Sequence, residues 1–579
     1  MSEREPIGQD VPPEPISEGP RPEQLSPTHP EPEPPARPEL ELPPAVQPAV
    51  LDEAHLGDIE GAFGTIRLED VAPRRTWRQR LLTLAAIIGP GLIVMVGDND
   101  AGGVSTYAQA GQNYSYSLLW TLVLLVPVLI VNQEMVVRLG AVTGVGHARL
   151  INERFGRFWG FFSVGDLFLL NFLTIVTEFI GITLSAAYFG ISPYLAVPLA
   201  AAILIAIATT GNFRRWERAL FIFLGANLLV VPLAVLSHPR PGAVVHGLLV
   251  PGIEGGLSSN AVLLIIAIVG TTVAPWQLFF QQSNVIDKRI TPRWLAYERA
   301  DTVIGAFVVV IGAAAIMMAT AAAFSGTKAF GNFTDALGTA MGLNHQVGSA
   351  AGVIFALLLF DASIVGASAV TLATSYAFGD VFGLRHSLHR SFGEAKVFYG
   401  TYAGLVALAA AIVLIPRAPL GLITTAVQAL AGILLPSAAV FLILLCNDNE
   451  VLGPWVNPTW LNVVATVIVG VLLMLSLILV ISTIFPAIDI TILLVVLSVI
   501  LALALAGGGL WIWLGRRTAR PRPVVDRRDR ERWRMPPLAL LNRPTWSAGR
   551  TAAMYALRGY LVIAVLLLVV KAGQLALHH

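Results

Sequence analysis

Two carboxylates and an amide stand together inside the first long apolar segment of this 579-residue chain. The run LLTLAAIIGPGLIVMVG ends in a short stretch that holds these polar residues and three glycines, namely Gly97, Asp98, Asn99, Asp100, Gly102 and Gly103. Glycines let the backbone leave helical geometry and free carbonyl oxygens, and carboxylates supply the charge that draws a cation out of water. We interpret this stretch as an unwound membrane helix with a cation site. The alternative is a polar kink that neighbouring helices satisfy.

A second interruption follows five apolar segments later. The sequence IIAIVG runs there into Thr271, Ala274, Pro275 and Gln277. Proline cannot donate to the helical ladder and therefore frees a carbonyl oxygen. Interrupted helices in corresponding positions of two five-helix halves indicate an inverted-repeat transporter with its site at the bilayer midplane. A receptor bundle with two accidental kinks is the alternative.

The composition sets the class of protein in which these interruptions lie. Hydrophobic residues make up 55% of the chain and charged residues 13%, with a mean hydropathy of +0.70, whereas soluble proteins carry about 25% charged residues. This excludes a soluble globular protein. The lone Cys446 excludes internal disulfides and thiolate metal clusters, and a net charge of +1 argues against nucleic acid as a partner.

The apolar runs predict an all-α polytopic membrane protein, since each is long enough to cross a bilayer. We predict spans near 81–113, 117–137, 158–188, 194–210, 216–236, 259–287, 297–324, 346–378, 397–415, 419–445, 460–484 and 488–514. The predicted organisation is a disordered Pro/Glu-rich tail (1–50), a juxtamembrane cap or short surface helix (51–80), two repeats (81–237 and 258–445), two further helices (460–514), a basic segment (515–552) and an additional membrane helix (553–577).

The basic residues of the short loops predict the orientation. With the N-terminus in the cytoplasm, fourteen Lys and Arg residues lie in inside loops, against Arg240, Lys328 and Arg417 outside. The positive-inside rule therefore predicts a cytoplasmic N-terminus. We expect a multi-pass protein of the plasma membrane. The Arg-rich stretch from 516 to 550 then faces the cytoplasm, where we expect contact with anionic lipid.

These motifs resemble the NRAMP family of divalent-metal transporters. GPGLIVMVGDNDAGG is similar to the family's first-helix motif, TEFIGI to its third-helix motif, and LLPSAAVFLILLCNDNEVLGPWVNPTWLN to its tenth-helix pattern. The resemblance implies a LeuT-like fold of two inverted five-helix repeats plus two or three extra C-terminal helices. It also implies that Asp100, the carbonyls of Gly97 and Thr271, and the Gln428 amide bind the metal.

The departures from the family pattern are equally informative. Gly103 replaces an asparagine and Ala274 a methionine, so two metal ligands are missing. Three proton-pathway groups of the family are replaced by Ile175, Trp276 and Gln281. This pattern resembles the NRAMP-related magnesium transporter branch. Thioether sulfur favours soft metals, whereas Mg2+ prefers oxygen ligands and keeps part of its water.

The physical chemistry of these replacements gives the same substrate. We expect Gly103 and Ala274 to widen the cavity, and Asp98 to add charge beside Asp100. Mn2+ also accepts oxygen ligands, so transport of Mn2+ beside Mg2+ stays open.

Further polar residues are candidates for the second shell or the pathway: Glu178, Asp361, Asn99, Gln277 and Gln281. Glu178 is either a second-shell acceptor or a transport group, and Asp361 either lines the path or makes a hydrogen bond between helices. No histidine is expected in the pathway, which disfavours proton coupling.

We therefore predict a transporter of divalent cations, chiefly Mg2+, that works by alternating access without protons. The alternative is a proton-coupled Mn2+ or Fe2+ importer. An amino-acid symporter is disfavoured because the aspartates would repel a carboxylate substrate, and an enzyme is disfavoured because HExxH, GxSxG and phosphate-binding loops are missing. We expect no cofactor, no nucleic-acid partner, contact with membrane lipid, and a monomer.

Overall fold

The computed structural model describes residues 53–541 apart from 71, 416–418, 486–487, 517–529 and 532, together with 554–555, 558–559 and 562. The predicted tail over 1–50 lies outside the described residues. So do most of the basic segment over 515–552 and most of the additional helix over 553–577.

Helices make up most of the described chain. Ten helices come from the first half: α1 (Trp77–Ile87), α2 (Pro90–Val96), α3 (Ala101–Tyr114), α4 (Leu119–Thr143), α5 (His147–Phe155), α6 (Arg157–Tyr188), α7 (Pro193–Ala208), α8 (Phe213–Ala226), α9 (Val230–Leu236) and α10 (Pro241–Leu249). Ten follow: α11 (Ser259–Thr272), α12 (Pro275–Asp287), α13 (Leu295–Phe324), α14 (Ala336–Gln346), α15 (Ser349–Phe382), α16 (Lys396–Val413), α17 (Leu420–Cys446), α18 (Asn449–Leu452), α19 (Thr459–Ile484) and α20 (Ile490–Arg516).

The helices coincide in position with the predicted spans, with ends that differ from the predicted ones by at most six residues. Within the described ranges, ten helical segments are long and apolar enough to cross a membrane, and eleven if the bent pair α1–α2 counts as one span. The shorter apolar α7 is the predicted fourth span. Long apolar runs become helices because a bilayer offers backbone groups no hydrogen-bond partner other than the chain itself. The protein is a multi-pass membrane protein.

Two pairs of closely packed helices form much of the interior. The third span, α6, packs along the eighth, α15, and α11 packs along α17. α13 contacts α2, α3 and α4, so the seventh span supports the whole first span and the second. The last helix, α20, packs against α19 and leaves side chains such as Ile492 and Leu503 exposed, as expected where lipid covers a helix.

The segment before α1 contains a hairpin. We expected a cap or a surface helix over 51–80, and residues 53–66 form, in place of a surface helix, a short 3-10 helix (Glu53–His55) followed by an antiparallel hairpin of β1 (Ile59–Gly61) and β2 (Gly64–Ile66). Ile59 and Ile66 pair across the two strands and are both buried, whereas Thr65, the neighbour of Ile66 on β2, is exposed. The hairpin forms because this alternation buries one face of the strands. We call residues 53–66 the strap.

Candidate functional site

The first span is broken between α2 and α3. α2 ends at Val96, and α3 begins at Ala101 with Asp100 as its N-cap in extended conformation (φ −69°, ψ −177°). The Asp100 carboxylate accepts a hydrogen bond from the Gly103 amide at 2.6 Å. An aspartate at this position satisfies an amide at the start of the helix and restarts the helix after the break.

The break removes helical partners from carbonyl oxygens. In a continuous helix the Ala101 amide would donate to the Gly97 carbonyl, but it donates instead to Glu178 Oε2 at 3.0 Å. The Gly103 amide is likewise taken by Asp100, so the Asn99 carbonyl loses its partner. Buried carbonyls that lack a helical partner are the backbone ligands that a cation can use.

The sixth span breaks in the same way. α11 ends at Thr272 and α12 begins at Pro275, with Val273 and the extended Ala274 between them in non-helical backbone. Because Pro275 has no amide hydrogen, the Thr271 carbonyl has no donor one turn ahead. The Thr271 hydroxyl is also buried without a hydrogen-bond partner among the described residues.

The two breaks lie against each other. A Cβ atom at Gly103 would lie 2.8 Å from the Asp98 carbonyl oxygen and 3.1 Å from Thr271 Oγ1. Gln428 of α17 closes the third side, since its Nε2 lies 1.7 Å from where a Cβ of Gly102 would stand. The structure therefore brings together groups from the first, sixth and tenth spans.

The contact at Gly103 corrects one expectation. We expected the absence of a side chain there to widen the cavity. Instead the space is taken by the Asp98 carbonyl and the Thr271 hydroxyl. Gly103 thus allows the two broken spans to approach closely, and the site is tightly packed.

Besides the Thr271 hydroxyl, Asp98 and Gln428 at this junction have side-chain atoms that lack hydrogen-bond partners among the described residues. Asp98 has no exposed surface, and neither of its carboxylate oxygens has a hydrogen-bond partner among the described residues. The same holds for the Gln428 amide nitrogen. Burying a polar group without a partner is costly, so such groups point to a missing ligand.

Ala274 stands at the sixth-span break as the N-cap of α12 and is 4% exposed. It contributes a methyl group where a thioether would supply sulfur. Trp276, one position inside α12, reaches back to the first span, with a ring carbon 3.6 Å from the Cβ position of Gly97. The lining on this side is apolar and aromatic.

Glu178 and Gln277 flank the junction. Glu178 holds the Ala101 amide and also lies beside Asp100, since a Cβ at Gly366 of α15 would be 2.6 Å from Glu178 Oε2 and 2.8 Å from Asp100 Cβ. Gln277 accepts a hydrogen bond from Gln133 at 3.0 Å. Glu178 therefore positions the broken backbone.

The other three candidates make contacts away from the junction. Asn99 donates to the Val309 carbonyl at 3.1 Å and Gln281 to the Thr302 hydroxyl at 2.9 Å, so both face α13. Asp361 accepts from Asn227 at 3.0 Å. Of the two interpretations left open for Asp361, the structure contains the hydrogen bond between helices.

The chemistry of the donors limits the kind of metal site that can form. Within the described part of the chain, no group of three or more His, Cys, Asp or Glu side chains is placed to hold a metal ion. An ion at this junction would use one or two carboxylates together with carbonyl and amide oxygens. Such a set is all oxygen, and it suits an ion that is bound only transiently.

A cluster of buried charged side chains, where α1 ends and α2 begins, was not predicted from the sequence. Lys288 donates to Glu217 Oε1 at 2.6 Å and to the Ile88 carbonyl at 2.9 Å. Asp301 accepts from the Gly89 and Gly91 amides at 3.0 and 2.7 Å and so caps α2. The signal was present, because Asp301 and the buried Glu298 fall three residues apart, hence on one face, in the first turns of the seventh span.

The described histidines lie outside the long spanning helices. Burial lowers the pKa of His147, on the short α5, to about 4 although Gln282 is hydrogen-bonded to its ring. Burial also opposes the charge on His386, but the Asp380 carboxylate 3.0 Å away raises its pKa. These imidazoles belong to the face of the molecule where α12 and α15 end.

Comparisons with known proteins identify the family and the fold of this chain. The family model described as Natural resistance-associated macrophage protein-like (Nramp) matches residues 91–482. The divalent metal cation transporter MntH of Pectobacterium carotovorum is 29% identical over 426 residues, which cover 71% of this chain and 96% of that protein. The metal transporter NRAT1 of Oryza sativa is 30% identical over 233 residues, 38% of this chain.

The matched length varies among the relatives. The chain spans 40% of NRAT1 and 57% of MntH from Chromohalobacter salexigens, about half of each. Among solved structures, a crystal structure of the Eremococcus coleocola manganese transporter is similar, with a TM-score of 0.57 and 22% identity over 78% of this chain and 99% of that one. This likeness confirms the predicted all-α, LeuT-like fold.

Proposed function

The chain belongs to the Nramp family, and from that premise we propose that it transports divalent metal cations across a membrane, with Mg2+ as its principal substrate. The named relatives are metal transporters rather than enzymes. The observation that carries the proposal is the junction of two broken spans, where Gly103, whose amide donates to Asp100, lies beside the Thr271 hydroxyl, and Gly102 lies against Gln428. We propose that Asp100, the Gly97 and Thr271 carbonyls and the Gln428 amide bind the ion there.

Charge and burial support a cation as the substrate. Asp98 and Asp100 are 0% and 2% exposed, and no side chain of opposite charge pairs with either among the described residues. A buried carboxylate without a counter-charge is strongly disfavoured, and a divalent cation supplies that charge. In return the carboxylates offset the water that the ion gives up.

The ligand types favour a hard ion. The groups at the junction are carboxylates, backbone carbonyls, a hydroxyl and the Gln428 side-chain amide, and Ala274 offers no sulfur. Mg2+ selects oxygen ligands and keeps several waters, whereas thioether sulfur adds affinity for softer metals. Two relatives are named for manganese or divalent metal transport, so a proton-coupled Mn2+ importer is the competing function.

Proton coupling is disfavoured by the groups at the two breaks. Ile175 and Trp276 cannot titrate, and Gln281 is occupied with Thr302 of α13. Glu178 is engaged with a backbone amide, which gives it a positioning role. We therefore propose that the membrane potential and the ion gradient drive transport by alternating access, with the N-terminus in the cytoplasm of a plasma-membrane protein.

The test is ion flux into liposomes that contain the purified protein. Asp100→Asn keeps the N-cap acceptor for Gly103 and removes only the charge, and we expect it to abolish Mg2+ flux. Asp361→Asn, which alters the hydrogen bond to Asn227 away from the junction, is the matched control and should retain flux. Transport of Mn2+ by the wild-type protein, with neither Mg2+ flux nor Mg2+ competition at millimolar concentration, would replace magnesium by the competing function.

A pH dye inside the same liposomes separates the two mechanisms. Without proton coupling, uptake driven by an inside-negative potential leaves the luminal pH unchanged. Luminal acidification that depends on the metal would contradict the uncoupled mechanism and support the proton-coupled importer.

A further inference from the structure

The strap, residues 53–66, is bound to the buried charged cluster that contains Glu217 and Lys288. The Ala62 amide donates to Glu217 Oε2 at 2.5 Å, while Glu217 Oε1 takes the Lys288 ammonium. Lys288 also holds the Ile88 carbonyl at the end of α1. The strap thus occupies the second oxygen of the carboxylate that joins α8, α12 and α1.

Two arginines hold the strap from the membrane helices. Arg218 of α8 donates to the Ala62 carbonyl at 3.0 Å. Arg289, after α12, donates to the carbonyls of Ala54 and Asp58 at 3.0 and 3.1 Å. Charged donors make the stronger hydrogen bonds of a protein, so these contacts fix the strap at its start and at its hairpin turn.

The strap also lies directly on α1 and α12. A Cβ atom at Gly61 would be 2.0 Å from the Ala86 carbonyl oxygen, so hairpin and helix backbones are in contact. His55 Nε2 lies 3.5 Å from Asp287 Oδ1 at the end of α12. The strap therefore joins the first half of the first span to the beginning of the fifth span (α8) and to the end of the sixth span (α12).

We propose that the strap is a latch. It keeps the ion path closed on the side of the membrane where the strap lies, and it must undock before the ion can leave on that side. Alternating access requires helices on one side of the site to move apart, and the strap bridges α1, α8 and α12 through the contacts above. The role of the latch in transport rests on the proposed function. The docking of residues 53–66 on the helices does not depend on it.

A reporter position lies beneath the strap. A small pocket is lined by His55 of the strap together with Ser283, Ile286, Tyr376 and His386. Ser283 is 6% exposed. In a Cys446→Ser background, Ser283→Cys introduces one thiol, which reacts with a small maleimide only when the strap lifts.

Two pairs of variants test the latch. Ala62→Pro removes the amide that binds Glu217, whereas Ala62→Gly keeps it. Arg218→Met removes the donor to the Ala62 carbonyl, whereas Arg67→Met changes an exposed arginine just after the strap. Loss of a hydrogen bond to a charged group should speed thiol labelling about tenfold in Ala62→Pro and Arg218→Met. The two controls should stay within about twofold of the background.

The measurement uses purified full-length protein without metal, so it does not depend on whether the substrate is Mg2+ or Mn2+. Thermal unfolding of each variant is recorded beside the labelling rate, and we expect unchanged transitions. Labelling of Ala62→Pro and Arg218→Met at the rate of their controls would overturn the latch. Equally fast labelling of Arg67→Met would also overturn it, because the reporter would then respond to general loosening.

Discussion

Glu178 provides a test of how the first span stays broken. Its Oε2 accepts the Ala101 amide at 3.0 Å and thereby keeps this amide away from the Gly97 carbonyl. Glu178→Leu removes the acceptor, and the Ala101 amide then either stays unpaired or bonds Gly97 and occupies a carbonyl that the ion needs. Glu178→Gln retains an acceptor oxygen in a side chain of the same size.

The structure sets the expected size of the effect. Leaving a buried amide without its acceptor costs about 1–3 kcal/mol, which is a factor of about 5 to 150 in an equilibrium constant. We expect the Mg2+ concentration for half-maximal flux to rise by about that factor in Glu178→Leu, and by about threefold or less in Glu178→Gln, where the amide hydrogen bond persists.

The assay is the initial rate of Mg2+ uptake into liposomes at a fixed inside-negative potential, measured over a range of Mg2+ concentrations. The amount of inserted protein is determined for each variant, so that a loss of flux is not a loss of protein. If Glu178→Gln is as damaging as Glu178→Leu, then the charge or proton of Glu178 matters rather than its position as an acceptor. If Glu178→Leu transports like the wild type, the proposed role of the amide contact is refuted.

Three further outcomes follow from the structure. Gly366→Ala should abolish flux because its Cβ would lie 2.6 Å from the Glu178 carboxylate, while Gly404→Ala, with no atom within 4 Å of the added Cβ, should be silent in the same assay. Ala274→Met should raise the flux of Mn2+ or Cd2+ relative to Mg2+ because it adds a soft ligand, and Ala274→Leu, which has similar bulk and no sulfur, should not. A Glu153→Cys thiol in the Cys446→Ser background should react with an impermeant reagent only from the cytoplasm, and labelling from outside the cell would reverse the proposed orientation.

The sequence contained the membrane spans and both breaks. Long apolar runs have one stable solution in a bilayer, because every backbone group must be paired within the chain, and the predicted spans agree with the helices. The breaks were equally readable, since Pro275 removes a donor and the glycines around Asp98 and Asp100 remove the helix preference.

The strap and the charged cluster illustrate what local patterns leave open. The two strands of the strap pair the buried Ile59 with the buried Ile66. Each strand has only three residues, which is too short for a period-2 pattern to stand out beside charged neighbours. Glu217 and Lys288 are 71 residues apart, and only the packing of α8 against the end of the sixth span reveals that they form a pair. Long-range pairs of this kind leave no periodic trace in the sequence.

By itself, the sequence determined that the chain crosses the membrane many times and where two spans must unwind, because backbone hydrogen bonding and residue type act locally. The tertiary structure decided what those residues face. It placed the Asp98 carbonyl and the Thr271 hydroxyl in the space beside Gly103, where we had expected open room, and it turned Asn99 and Gln281 towards α13. Side chains on a broken helix have no fixed direction until neighbouring spans pack around them, so the packing of the spans sets the geometry of the site.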